Sequence, residues 1–260
     1  MSECEEVICA ADGTEIRGTL NDISGNSGAG VVIAHGLTVD RNEDGVFAHL
    51  SRELASAGLS SFRFDFRGHG KSGGRSVDMT VAGEALDLAA ALDFAGLRGM
   101  KRIGLVAASF AGGAASLAVP GRRDVGALVL WNAVVDFAPI FNPDNPDARG
   151  FWNGSRDTAT KNGYVDVGPG KFRLGLALME EMASFRPADL LAGLQIPVQF
   201  IHGDADALVP WPVSSTLAKR IPGAVMETLV GAGHGFHNER DMKESCRLAV
   251  NFLADRLLKG

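Results

Sequence analysis

The chain has 260 residues, with 25 Lys and Arg against 31 Asp and Glu, a formal charge of −6. At 46 % apolar and 22 % charged it has the composition of a folding domain, and a chain of this length buries about 70–75 % of its unfolded surface without a disulfide or metal staple. The acidic balance, with no basic run longer than Arg122-Arg123, excludes a phosphate-backbone binder, and no stretch approaches the roughly 18 consecutive apolar residues of a membrane span.

The chain opens on Met1-Ser2-Glu3-Cys4-Glu5-Glu6, acidic where a signal peptide needs a positive start. Cys4, Cys9 and Cys246 are odd in number and lack metal-ligand spacing. Both features lead us to expect a cytoplasmic enzyme, with Cys9 and Cys246 as core residues. Residues 7–10 and 14–20 straddle Asp12-Gly13, a hairpin signal. The glycines between 25 and 30 precede a strand, which argues against a dinucleotide loop. The run Val31-Val32-Ile33-Ala34 reads as a strand buried on both faces. A helix over 44–57 carries Val46, Phe47, Leu50 and Leu54 on one face and stops at Gly58. A strand over 60–64, a helix over 78–94, and a strand over 103–107 running straight into a helix over 110–119 follow. Further strands are expected at 127–131, 198–201 and 225–229, with Trp211 opening a helix and a last helix over 240–258. A hairpin followed by repeated strand–helix units predicts an α/β fold, a mostly parallel sheet with helices on both faces.

Residues 132–194 break this rhythm. They begin with the loop-like Asn142-Pro143-Asp144-Asn145-Pro146-Asp147 and go on to Phe151 and Trp152, an extended piece at 164–167, and a helix with Phe172, Leu176 and Met179 on a face. Loops beyond about 12–15 residues inside a domain are usually functional, and the aromatics argue against disorder. We therefore expect a cap inserted into a core made of residues 1–131 and 195–260.

Ala107-Ala108-Ser109-Phe110-Ala111-Gly112-Gly113 joins a predicted strand to a predicted helix. A serine on such a sharp turn is pushed out of the sheet in a strained conformation, as in the G-x-S-x-G nucleophile elbow, although alanine stands here at both glycine positions. Read blandly, Ser109 is a helix cap. After the strand at 31–34 comes His35-Gly36-Leu37, where backbone N–H groups of Leu37 and Phe110 can form an oxyanion hole; His35 itself reads as satisfied within its loop. His202-Gly203-Asp204-Ala205-Asp206 follows another strand and offers two carboxylates at its C-terminal end, where open α/β sheets place their sites. Gly231-Ala232-Gly233-His234-Gly235-Phe236-His237 is a glycine-padded loop bearing two histidines. Serine, acid and histidine thus follow different strands in the order Ser…Asp…His.

On these segments, and on Asp65-Phe66-Arg67-Gly68-His69-Gly70-Lys71-Ser72-Gly73, the sequence resembles the α/β-hydrolase family from about residue 31 to 258, with the cap region the weakest part. The resemblance selects Asp206, because Gly203, Asp206, Val209 and Pro210 match G-x-x-D-x-x-V-P, and it selects His234 over His237. It leaves Asp65 and His69 structural. The pattern of the cap is similar to that of bacterial feruloyl and cinnamoyl esterases.

The implied chemistry is acyl transfer to water: Ser109 as nucleophile, His234 as general base, Asp206 as its orienting acid, and no metal or organic cofactor. Trp131, Trp152 and Tyr164 are the candidate substrate-binding residues. The expected partner is a small acyl ester or thioester, with no nucleic acid and no membrane; a homodimer stays open. The triad alone does not separate an esterase from a thioesterase, peptidase or acyltransferase, nor from a binding protein without turnover.

Overall fold

The computed structural model describes residues 2–23, 28–140, 156–168, 170 and 172–259. Strands β1 (Ser2–Cys9) and β2 (Glu15–Asp22) form the opening antiparallel hairpin. Its turn is set by the Asp12 carboxylate accepting from Thr14 N–H (3.1 Å) and by Gly13 at φ 86°, which only glycine adopts cheaply. Six further strands complete an eight-stranded sheet: β3 (Ala29–Ala34), β4 (Ser60–Phe64), β5 (Arg102–Ala108), β6 (Val125–Trp131), β9 (Val198–Gly203) and β10 (Val225–Leu229), in the order β1-β2-β4-β3-β5-β6-β9-β10. From β4 to β10 all neighbours run parallel.

Parallel strands need crossovers, and these supply the helices that bury both faces. On one face, Val31 and Ile33 of β3 pack with Phe47, Leu50 and Leu54 of α1 (Val46–Ser56) and with Ala249 and Leu253 of α8 (Glu239–Leu258). On the other, Val32 and Ala34 pack with Leu88 and Leu92 of α2 (Val81–Leu97) and with Ala111 and Ala114 of α3 (Ala111–Ala118). The period-2 alternation of β3 therefore splits between two cores. α7 (Trp211–Ala218) starts at Trp211, as expected. Among the described residues no helix is long and apolar enough to cross a membrane.

The segment between β6 and β9 holds α4 (Arg156–Asn162), the antiparallel pair β7 (Tyr164–Val167) and β8 (Phe172–Gly175), α5 (Leu176–Ser184) and α6 (Pro187–Leu191). Phe172 is thus a strand residue and does not share a helical face with Leu176 and Met179. Its apolar spacing fits a helix, but pairing with β7 overrides the local pattern. Val165, Leu174 and Leu178 pack with Val81, Phe110 and Val134 in a third apolar cluster. The α5 residue Glu181 accepts hydrogen bonds from the N–H groups of Val81 (2.5 Å) and Ala82 (3.0 Å), closing the N-terminus of α2. Cys9, expected in the core, is exposed at the end of an edge strand, whereas Cys246 is buried on α8.

Candidate active site

Ser109 sits between the end of β5 and the start of α3, with φ at 47°, a region a non-glycine residue enters only under constraint. The constraint is visible in the backbone. Ser109 N–H donates to Trp131 O (2.9 Å), and Ser109 O accepts from Val134 N–H (2.7 Å) and Gly112 N–H (3.1 Å). The alanines of the elbow are compatible with this turn because the tight approach falls later: a Cβ on Gly112 would lie 2.7 Å from Val134 O. Ala107 and Ala111 keep their methyl groups in the core.

Loops after β9 and β10 bring two more side chains to this point. His234 Nε2 lies 3.0 Å from Ser109 Oγ, and His234 Nδ1 lies 2.8 Å from Asp206 Oδ2. Asp206 Oδ1 accepts from Leu208 N–H (2.9 Å) and Val209 N–H (2.8 Å). Burial would raise this carboxyl, but hydrogen bonds from His202 and His234 and from Val209 N–H outweigh it and hold Asp206 well below the usual range. A charged Asp206 obliges His234 Nδ1 to carry a proton, which leaves Nε2 of the neutral ring to accept from Ser109 O–H.

The neighbouring candidates have other work. Asp204 is exposed and its carboxylate accepts from Gly231 N–H (2.6 Å), tethering the loop that carries His234. His237 is exposed at the pocket rim. His35 is satisfied, but not within its loop alone: it donates to Gly36 O (2.7 Å) and accepts from Phe66 N–H (3.0 Å) in the loop after β4. Asp65 binds Arg41 (3.0 Å) and Lys71 N–H (2.8 Å), a structural pairing. Two residues without a sequence signal also matter. His202, fully buried behind Asp206, donates to Val209 O (2.8 Å) and so accepts from Ser214 Oγ (2.8 Å). Glu43 is buried and accepts from Gly36 N–H (3.0 Å).

A pocket of about 210 Å³ opens beside Ser109 and His234, walled by Leu37, Phe110, Val134, Ile140, Leu208 and Val209 among others. Leu37 and Phe110, the expected oxyanion-hole residues, therefore both flank Ser109. Trp131 does not. It is 2 % exposed and packs against Phe47 and Phe236, with ring centroids 6.1 and 5.6 Å away, beneath the site. As the last residue of β6 it belongs to the α1–α8 core, so its contribution is its carbonyl to Ser109. Tyr164 lies on β7 with Arg173 stacked 4.4 Å from its ring, outside the pocket wall. Trp152 lies outside the described residues. Among the described residues, no group of three or more His, Cys, Asp and Glu side chains is arranged to hold a metal.

A doubly wound sheet with a strained serine after its central strand defines an enzyme of the hydrolase class. The chain belongs to the alpha/beta hydrolase family, which it matches over residues 31–247. It is similar to a monoacylglycerol lipase of Mycolicibacterium smegmatis, 27 % identical over 244 residues, covering 82 % of this chain and 83 % of that protein. In fold it is similar to Est1E from Butyrivibrio proteoclasticus, solved with ferulic acid bound (TM-score 0.80, 21 % identity, covering 96 % of this chain and 99 % of the other). A protein from Agrobacterium vitis S4 is similar in fold to the same degree (TM-score 0.80, 23 % identity, 98 % and 100 % covered).

Proposed function

We propose that the protein is a serine esterase that cleaves small or medium carboxylic esters, aromatic acyl esters among them, through an acyl-enzyme. The observation that carries this reading is the unbroken relay from Ser109 Oγ through His234 to Asp206, at 3.0 and 2.8 Å. Ser109 Oγ attacks the ester carbonyl as its proton passes to His234 Nε2, and Asp206 stabilises the imidazolium that forms. The oxyanion is received by the N–H groups of Leu37 and Phe110, with the positive end of the α3 dipole nearby. Collapse of the intermediate breaks the bond to the alcohol oxygen, which takes the proton from His234. Water then attacks the acyl-enzyme, giving its proton to His234, and the acid leaves as Ser109 is reprotonated.

The segment 132–194 acts in this reading as a cap that shapes the acyl site, since Val134 and Ile140 contribute to the pocket wall. The names of the similar proteins, a monoacylglycerol lipase and Est1E with ferulic acid bound, fit a carboxylic ester substrate. The test is Ser109→Ala. Removing a triad serine costs about 10⁶ in turnover in a well-studied protease, and a comparable loss is expected here on a p-nitrophenyl ester, with loss of labelling by a fluorophosphonate. Full activity in the folded variant would reject the assignment.

A further inference from the structure

Glu43 is a buried acid that the mechanism does not use. The residue is 8 % exposed, and its backbone and that of Asp44 both have positive φ, at 46° and 52°. Arg41 in the same loop is turned away to Asp65 and Glu5, at 3.0 and 2.5 Å. Glu43 instead receives Gly36 N–H on Oε2 at 3.0 Å. A buried carboxyl needs such a donor, and the donor is a peptide of the loop that presents Leu37.

The next peptide is held from the other side. Phe66 N–H occupies His35 Nε2, so the His35 proton is on Nδ1 and donates to Gly36 O at 2.7 Å. In a trans peptide the carbonyl and the following N–H point in opposite directions. A Gly36 carbonyl turned towards His35 therefore turns Leu37 N–H away from it, and Glu43 fixes the N–H at the near end of the same glycine. The glycine has little freedom to take up slack: a Cβ there would lie 3.0 Å from Ser109 Cβ, 3.4 Å from Ser109 Oγ and 3.6 Å from Glu43 Oε1. Ser109 Oγ and Glu43 Oε1 are thus at most 3.4 plus 3.6 Å, about 7 Å, apart across Gly36.

We propose that Glu43 is a positioning residue for the oxyanion hole, its carboxyl locking the Gly36 peptide so that Leu37 N–H meets the oxygen developing beside Ser109. The inference rests on the reading of Ser109 as the nucleophile. Burial raises the Glu43 carboxyl to about 7, against the pull of Gly36 N–H and of His234 across the pocket and with the push of Asp44 and Asp40. A neutral isostere is consequently a fair substitute, because the amide oxygen of glutamine accepts the same N–H.

The experiment compares Glu43→Ala, Glu43→Gln and Ser109→Ala with the wild type on p-nitrophenyl butyrate, with thermal unfolding as a check on folding. Loss of one oxyanion donor costs about 10²–10³ in turnover. Glu43→Ala is expected to lower kcat at least tenfold with KM within about twofold, and Glu43→Gln to restore kcat to within about threefold of wild type, the signature of an interaction made in the transition state. Wild-type kcat in a folded Glu43→Ala variant overturns the proposal. So does a raised KM with kcat intact, or a Gln variant as impaired as the Ala one. Failure of the esterase reading is separate: it shows as a Ser109→Ala variant that still turns over.

Discussion

Asp206 and Asp204 stand two residues apart in one loop, and their partners give them different work. Asp206 is buried between His234 and His202, whereas Asp204 is exposed and its carboxylate holds Gly231 N–H. An amide at position 206 would present the wrong partner to His234 Nδ1, the tautomer error that costs about 10⁴ in kcat in a serine protease. Asp206→Asn is expected to show a loss of that order. Asp204→Asn keeps an oxygen for Gly231 and should stay within a few-fold of wild type; a reversed ranking would reassign the acid. Glu43 offers a pH test of a different kind. Its carboxyl titrates near 7 in the fold against 4.5 ordinarily, so between these values the folded state holds a proton that the unfolded state has released. That contribution is complete below about pH 4.5 and is lost as pH rises through 7. Glu43→Gln removes the titration, so it should gain stability over wild type by up to about 3 kcal/mol at pH 8, with the difference fading towards pH 4. Urea midpoints at the two pH values measure it, and a difference independent of pH would contradict the buried charge.

At the scale of elements, the strands were readable from their short apolar and β-branched runs, in the fully buried β4 and in the partly exposed edge strand β10 alike. Ser60–Phe64 and Val225–Leu229 begin and end where the sequence puts them, and β3 extends its apolar run by only two residues. The serine turn was readable too, despite its alanines, because a strand running directly into a helix leaves little other geometry. Reading failed where a short segment depends on a distant partner. Phe172, Leu176 and Met179 have helical spacing, yet Phe172 pairs with Val167, and Gly175 passes so close to Val77 O that a Cβ would sit 2.0 Å away. No local pattern encodes that contact. Glu43 and His202 escaped because their roles depend on how the chain folds back on itself: Gly36 N–H lies seven residues before Glu43, and Val209 O and Ser214 Oγ lie seven and twelve residues after His202. The loop after β3 supplies the sharpest test at this scale. Leu37→Pro removes an N–H while keeping an apolar residue, and losing one oxyanion donor costs about 2.7–4 kcal/mol in the transition state. Turnover should fall about 10²–10³-fold in a folded protein. Leu37→Ala keeps the donor and should be mild in kcat, so equal losses in the two variants would point to packing instead of the N–H.

For the molecule as a whole, the sheet fixes where chemistry is placed, and in the function proposed above the segment 132–194 sets what fits there. Ser109, Asp206 and His234 all follow C-terminal ends of parallel strands, so their convergence follows from topology. Substrate selection does not follow from topology, because the aromatic residues that drew attention in the sequence divide among several tasks. Phe137 packs in the apolar cluster under the segment, Phe172 stacks on His69 at 4.5 Å, and Trp131 supports the sheet end. Among the described residues the apolar wall near Ser109 is built mainly by aliphatic side chains such as Val134, Ile140 and Leu208, together with Phe110. The pocket of about 210 Å³ exceeds the roughly 150 Å³ of an engineered apolar cavity that holds benzene. It therefore has room for one ring or a medium chain, and an acetyl group leaves most of it empty. Each buried methylene contributes about 0.8 kcal/mol, so two of them amount to roughly a fifteenfold preference. Butanoyl esters should exceed acetyl esters in kcat/KM by about that factor, with cinnamoyl esters also above acetyl. Filling the pocket by Ile140→Trp should erase the butanoyl and cinnamoyl advantage while leaving acetyl turnover within a few-fold. A flat series across acetyl, butanoyl and cinnamoyl p-nitrophenyl esters in the wild type would mean that the acyl group lies outside this pocket, and the segment 132–194 would lose its role in specificity.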